Sequence, residues 1–164
     1  MSAQTLILKH DQWRKGQGGA PAGVASQSDA NVYAGLDLNL ITFSASTFGG
    51  SSFSATSFLD ASWTACHFAN CTFSHCDLQR IAVSGCTFKG CTFTNSVFAR
   101  GSFSNCSFMD CIWSELNFDD ARWSQLKILA CTGTQISGEN VRGERVDFTG
   151  SRFEDMRLSN ARIN

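Results

Sequence analysis

From Tyr33 onward nearly every fifth residue of this chain is large and apolar. The column runs Tyr33, Leu38, Phe43, Phe48, Phe53, Phe58, Trp63, Phe68, Phe73, Leu78, Val83, Phe88, Phe93, Phe98, Phe103, Phe108, Trp113, Phe118, Trp123 and Ile128, and resumes with Phe148, Phe153, Leu158 and Ile163. All 14 phenylalanines sit in it. Two residues earlier runs a column of smaller residues: Ala61, Cys66, Cys71, Cys76, Cys86, Cys91, Ser96, Gly101, Cys106, Cys111, Ala121 and Cys131, which takes in all eight cysteines.

A period of five belongs to neither regular element. In an α-helix it spirals round the surface and buries nothing, and in a flat strand an odd period changes face at every repeat. Within one pentad, the small and large residues are two apart and share one side of an extended chain. From the large residue to the next small one is three, so the backbone turns a corner in each pentad to keep both columns inward. The Ser, Thr, Asn, Asp and Gly of the other three positions suit such corners. The internal repeat therefore predicts an all-β coil with an apolar interior.

The remaining composition narrows what that coil does. The 164 residues make about one domain with a real core, and 13 basic against 14 acidic residues announce no nucleic-acid binder. The apolar run Leu6–Leu8 is too short for a signal peptide, and no later stretch approaches a membrane span. A cytoplasmic protein without membrane contact is expected, with its cysteines reduced. Residues 1–30, rich in Gly, Ala, Ser and Gln around Pro21, read as a flexible leader or cap ahead of a β-coil over 31–164.

Chemistry-bearing motifs are sparse. Cys66, His67, Cys71, His75 and Cys76 crowd together, but a zinc site wants paired ligands two to four residues apart with a second pair nearby. The frame turns the thiols inward and both histidines outward, so the cysteines are read as soft core residues beside the phenylalanines. No metal or other cofactor is expected. His10, His67 and His75 lie apart, no nucleophile elbow occurs, and the glycines of "STFGGSSFS" stand between in-frame phenylalanines rather than in a phosphate loop. The reading is non-enzymatic. In "ILACTGTQISGENVRGERV", Gly133, Gly138 and Gly143 take the large positions while Ile136, Val141 and Val146 take the small ones. An aliphatic in-frame coil that conserves core volume is favoured over a protruding loop, which remains the alternative.

The segments "ATSFLDASWTACHFANCTFSHCDL" and "VDFTGSRFEDMRLSNARI" resemble tandem pentapeptide repeats, whose usual form is Ala, Asp or Asn, Leu and two variable positions. Here Phe or Trp stands where Leu is usual, and Cys where Ala is usual. The resemblance implies a right-handed quadrilateral β-helix of four pentads per coil, about six to seven coils in a rod on the order of 30 Å long, with residues twenty apart stacked. It also implies partners: some members mimic duplex DNA and protect type II topoisomerases (gyrase) from quinolones, and others accompany bacterial secretion systems.

Charge discriminates between these, since duplex DNA carries one negative charge per about 1.7 Å. From residue 31 onward there are only twelve acidic residues against ten basic ones. One face carries Asp37, Asp60, Asp77, Asp119, Asp120 and Glu139 against Arg80, Arg100 and Arg157, and the next carries Arg122, Arg142, Arg145 and Arg162 against Glu144. A structural or adaptor module that binds proteins is favoured, with the DNA mimic as the alternative. The candidate interaction residues are those six acids and the last coil's Phe148, Phe153, Leu158 and Ile163, through which association is expected, either with a second copy or with another protein's strand. Leu6, Ile7, Leu8 and Trp13 are candidates for covering the other end.

Overall fold

The computed structural model describes residues 2–164. Short strands recur once per pentad, as in Thr42–Ser44, Thr47–Gly49 and Ser52–Ser54. The next coil lays Ser62–Thr64, His67–Ala69 and Thr72–Ser74 over them in parallel, pairing Phe43 with Trp63, Phe48 with Phe68 and Phe53 with Phe73. Four pentads therefore close one turn. The side built on Val32–Ala34 and ending on Arg152–Ser159 stacks seven strands, one per coil. The fourth side, carrying Leu38, Phe58 and Leu78, begins with the single bridges Asp37 to Ser57, Ser57 to Asp77 and Asp77 to Val97.

The expected ladders fill the interior. Phe48, Phe68, Phe88 and Phe108 stack with centroid separations of 4.8, 4.8 and 4.6 Å and interplanar angles of 6 to 7°. Each indole of Trp63, Trp113 and Trp123 stands nearly perpendicular to the phenyl five residues before it. Such stacked and edge-to-face pairs add about 0.5–1.5 kcal/mol beyond the area they bury.

Corners come from one repeated backbone device. The residue two after each large one is left-handed, from Leu40 (φ 69) and Ala45 (φ 47) through Arg80 (φ 58) to Asn160 (φ 52). A non-glycine residue there costs about 1–2 kcal/mol, and the parallel hydrogen bonds on either side of each corner hold it in place.

The corners are of two kinds. On the fourth side the corner closes its own bond: the N–H groups of Ile41, Ala61, Ile81, Gly101 and Ala121 donate to the carbonyls of Leu38, Phe58, Leu78, Phe98 and Phe118 at 2.9 to 3.3 Å. At most other corners a small-column side chain supplies the missing partner. The thiol of Cys131 lies 3.4 Å from both the Phe108 and Leu129 carbonyls, and its sulfur accepts the Cys111 N–H at 3.4 Å. Cys86 accepts the Cys66 N–H, and Ser96 accepts the Cys76 N–H. Ser and Thr thus interchange with Cys in this column, whereas Ala, Gly, Ile or Val suffices where the turn is self-closed.

Residues 129–145 form a regular coil rather than a loop. Strand Thr132–Glu139 pairs with Ile112–Asn117 on one side and Arg152–Ser159 on the other. Leu116, Leu126, Ile136 and Val141 are fully buried in small-column places, so the size swap refills the core. At Gly133 an added Cβ would lie 2.7 Å from Phe153, whose ring leans into that space towards Trp113.

At the other end, the segment read as a flexible leader begins with helix α1 (Ala3–Arg14). Ser2 caps it by accepting the Thr5 N–H at 3.1 Å. Gly19 (φ 70) then lets the chain fold back against the helix, where a Cβ would lie 2.1 Å from the Lys9 carbonyl oxygen. Coiling starts at Gly23–Ala25 and Ser28–Asp29. Both pair nineteen residues ahead, Val24 with Phe43 and Asp29 with Phe48, whereas Tyr33 pairs twenty ahead with Phe53. A one-residue deletion between Asp29 and Tyr33 thus hides the first two repeats from the five-residue frame.

Helix α1 seats on the exposed edge of this first coil. Ile7 and Ala3 are buried on the apolar cross-section, Leu6 is half-buried, and Leu8 and Trp13 stay largely exposed. The polar side carries the rest. Buried His10 accepts the Ala22 N–H on Nδ1 at 2.9 Å and donates from Nε2 to the Asn39 carbonyl at 2.7 Å, which fixes its neutral tautomer. Asp11 accepts the Asp37 N–H at 2.7 Å, and Lys15 donates to the Gly35 carbonyl. These contacts satisfy backbone groups of a bare strand edge.

Candidate interaction surfaces

Three positions of each pentad face outward, and the register turns them into straight ladders along the rod. The structure divides the acidic candidates among its length. Asp37 lies beside α1, 3.3 Å from Arg14. Asp60 is engaged by Arg80 one coil on, with Nε at 2.9 Å and the second guanidinium nitrogen at 3.2 Å, and this bonding holds its carboxyl below the ordinary value. Asp77 accepts the N–H of Gln79. Only Asp119, Asp120 and Glu139 come together: Asp119 accepts the Glu139 N–H at 2.9 Å, and Asp120 accepts from the Asn140 side chain at 3.3 Å.

The apolar candidates form the surface of the last coil. Phe148, Phe153, Leu158 and Ile163 are half-buried, together with Val146, Met156 and Ala161, while their counterparts in the coils below are sealed. Phe148 leans on Trp123 and Phe153 on Trp113, and their remaining area is open.

Neither His67 nor His75 joins the cysteines, since both are exposed and all eight thiols are buried. Burial pushes the Cys76 thiol up to about 11 and raises Cys106 as well. Such thiols are protonated and unreactive near neutrality.

A second column, noted in sequence only as a basic face, becomes a ladder in space. Arg122 pairs in register with Arg142, and Arg142 with Arg162. Intervals of twenty residues signal it, once the coil length is known. The ladder borders a groove of about 330 Å³ lined by Ser102, Ser104, Ser124 and Glu144 as well as Arg122 and Arg142.

A family profile described as pentapeptide repeats matches eight copies over residues 76–112. Over that segment the chain is a run of pentapeptide repeats. Its repeats continue on both sides of the matched segment as the same parallel coil. No curated protein matches the chain in sequence. Among solved structures, trypsin-treated QnrB1, a plasmid-mediated fluoroquinolone resistance protein, is 12% identical, with 87% of this chain and 92% of that one covered and a TM-score of 0.48. HetL of the cyanobacterium Nostoc sp. strain PCC 7120, involved in heterocyst differentiation regulation, is 13% identical over 98% of this chain and 94% of that one, with a TM-score of 0.41. Among the described residues, no helix is long and apolar enough to cross a membrane.

Proposed function

We propose that this chain is a non-enzymatic interaction module whose partners are proteins, bound on its flat faces and on the apolar surface of its last coil. One observation carries the reading. Outward side chains stand on a backbone bonded to the coil on either side, in register from Thr42 through Ser62, Ala82 and Ser102 to Arg122. A surface fixed in this way loses little conformational entropy when a partner docks. The half-buried Phe148, Phe153, Leu158 and Ile163 add an apolar patch of the kind that marks an association surface.

The charges fit a DNA mimic poorly, because the acids are dispersed along the rod and one face carries arginines. Gyrase supercoiling is therefore expected to proceed unchanged in micromolar protein. Affinity capture from the native cell with identification by mass spectrometry tests the module reading, and a rod that captures no protein overturns it. Sedimentation equilibrium tests the apolar patch: self-association is expected, dispersed by Leu158→Asp with the β spectrum intact. A monomer at every concentration would rule the patch out as a homodimer contact.

A further inference from the structure

Some charged positions that stack on this rod are paired to cancel, while Arg80 with Arg100 and Asp119 with Glu139 stack two like charges each. Asp60 binds Arg80 one coil on, and Lys127 stands in register with Asp147. The column Arg122, Arg142, Arg162 goes further and stacks three like charges in succession with no acid between them. Three guanidinium side chains occupy successive strands of one sheet at steps of about 4.8 Å. None forms an ion pair among the described residues. Arg142 donates to the carbonyls of Val141 and Asn160 at 3.1 and 2.7 Å, which fixes its side chain along the corner, and Arg122 and Arg162 are exposed. Like charges directly opposite one another on parallel strands destabilise a sheet, so the chain carries an electrostatic cost here that an external anion would relieve.

We infer that the Arg122–Arg142–Arg162 ladder is a docking site for a short carboxylate-rich segment of a partner protein, a conclusion that rests on the module reading above. The extent of the ladder selects the ligand. Three arginines span about 10 Å, the length of some three extended residues. Duplex nucleic acid places several phosphates in that distance, and the charge on either side of the ladder is unfavourable to a longer polyanion. Asp119, Asp120 and Glu139 lie just across the corner, with Asp120 and Arg122 lining one shallow cleft, and Glu144 flanks the ladder on its other side. A short acidic peptide lies within the basic strip. Its carboxylates match the paired donors of each guanidinium, and the Ser102, Ser104 and Ser124 hydroxyls offer further donors along the groove.

The test is a fluorescence-anisotropy titration of a labelled glutamate-rich peptide. The wild-type protein is expected to bind it in low salt and to lose affinity as salt rises. Arg122→Glu with Arg162→Glu, which leaves the bonded Arg142 in place, is expected to weaken binding at least about tenfold. Arg100→Glu on the neighbouring face is expected to change it little. Unfolding curves check that the variants keep the fold. Binding that survives the double substitution, falls equally with Arg100→Glu, or is absent from the wild type overturns the inference. So does a single-stranded oligonucleotide or polyphosphate that binds as tightly as the peptide. Affinity capture separates the two levels: a protein held equally by wild type and double variant sinks the ladder but keeps the module, whereas capture of nothing sinks the module itself.

Discussion

The hydroxyl of Ser96 accepts the backbone N–H of Cys76 at 3.2 Å, and the sulfur of Cys86 accepts that of Cys66 at 3.4 Å. A hydroxyl and a thiol do the same work one coil above the group they serve. Cys131→Ser is therefore expected to cost under about 1 kcal/mol, whereas Cys131→Ala strands the Cys111 N–H and costs about 1–3 kcal/mol. Ala121→Ser, at a corner whose N–H already bonds Phe118, gains nothing. Denaturant unfolding of the three variants measures the contrast, and equal losses for Cys131→Ser and Cys131→Ala would show that the sulfur only fills space.

Thiol labelling should follow burial. With all eight cysteines buried, native protein is expected to react slowly with thiol reagents at neutral pH, with all eight thiols reacting promptly after denaturation. Rapid native labelling of several thiols would contradict the inward assignment.

Acid should loosen the first coil before the rest. Burial alone would raise the Asp29 carboxyl, but hydrogen bonds from Tyr33, Asn31 and Ser51 outweigh it and hold the group below its ordinary value. A depressed folded value stabilises fully above the unfolded value of about 3.9, and that stability is lost as pH falls through the folded one. Protection of the amides around residues 24–33, relative to their intrinsic exchange rates, is expected to fall below about pH 4, and Asp29→Asn is expected to flatten the dependence. Protection factors, corrected for the intrinsic pH dependence of exchange, that are the same at pH 3 and pH 6 in the wild type would refute it.

Two glycines with similar dihedrals should respond differently to alanine. At Gly85 (φ 64) a Cβ would meet nothing closer than 3.8 Å, and Ala45 and Ala65 already occupy equivalent corners, so Gly85→Ala costs about 1 kcal/mol. Gly19→Ala collides with the Lys9 carbonyl and is expected to lift α1 from the coil, read as lost helical ellipticity and faster exchange near Asn39.

Phe88→Ala, which removes a ring stacked on both sides, is expected to cost about 3–5 kcal/mol, while Thr87→Ala beside it costs little. Trp63→Phe should cost less than Phe88→Ala, since the indole N–H it removes has no acceptor. Thermal unfolding ranks the three, and equal losses for Phe88→Ala and Thr87→Ala would reverse the inside and outside of the frame.

The rod's interior was legible because one apolar column with a fixed period admits one winding, and it stayed legible through Gly133, Gly138 and Gly143, where volume only changed places. Three things were not. Val24 and Asp29 fall one residue out of frame, and an aspartate at a core position looks like a break until its three hydrogen-bonding neighbours are seen around it. Helix α1 is held as much by His10 and Asp11 as by apolar residues, and no hydrophobic pattern records such bonds. The alternation of Cys or Ser corners with Ile81, Gly101 and Ala121 was present in the sequence at every twenty residues, but its meaning depends on which corners close their own turn.

Those self-closed corners also dictate how such a chain can change length. Deleting one pentad from the cysteine-bearing coils would turn everything beyond it by a quarter circle and bring a cysteine-bearing corner over one that needs no thiol, leaving backbone groups without partners at that junction. Deleting or duplicating residues 66–85 as a block shifts every ladder by one full turn and leaves each kind of corner above its own kind. The heritable unit of this molecule is therefore the twenty-residue turn rather than the pentapeptide, and a library of length variants is expected to fold in steps of twenty.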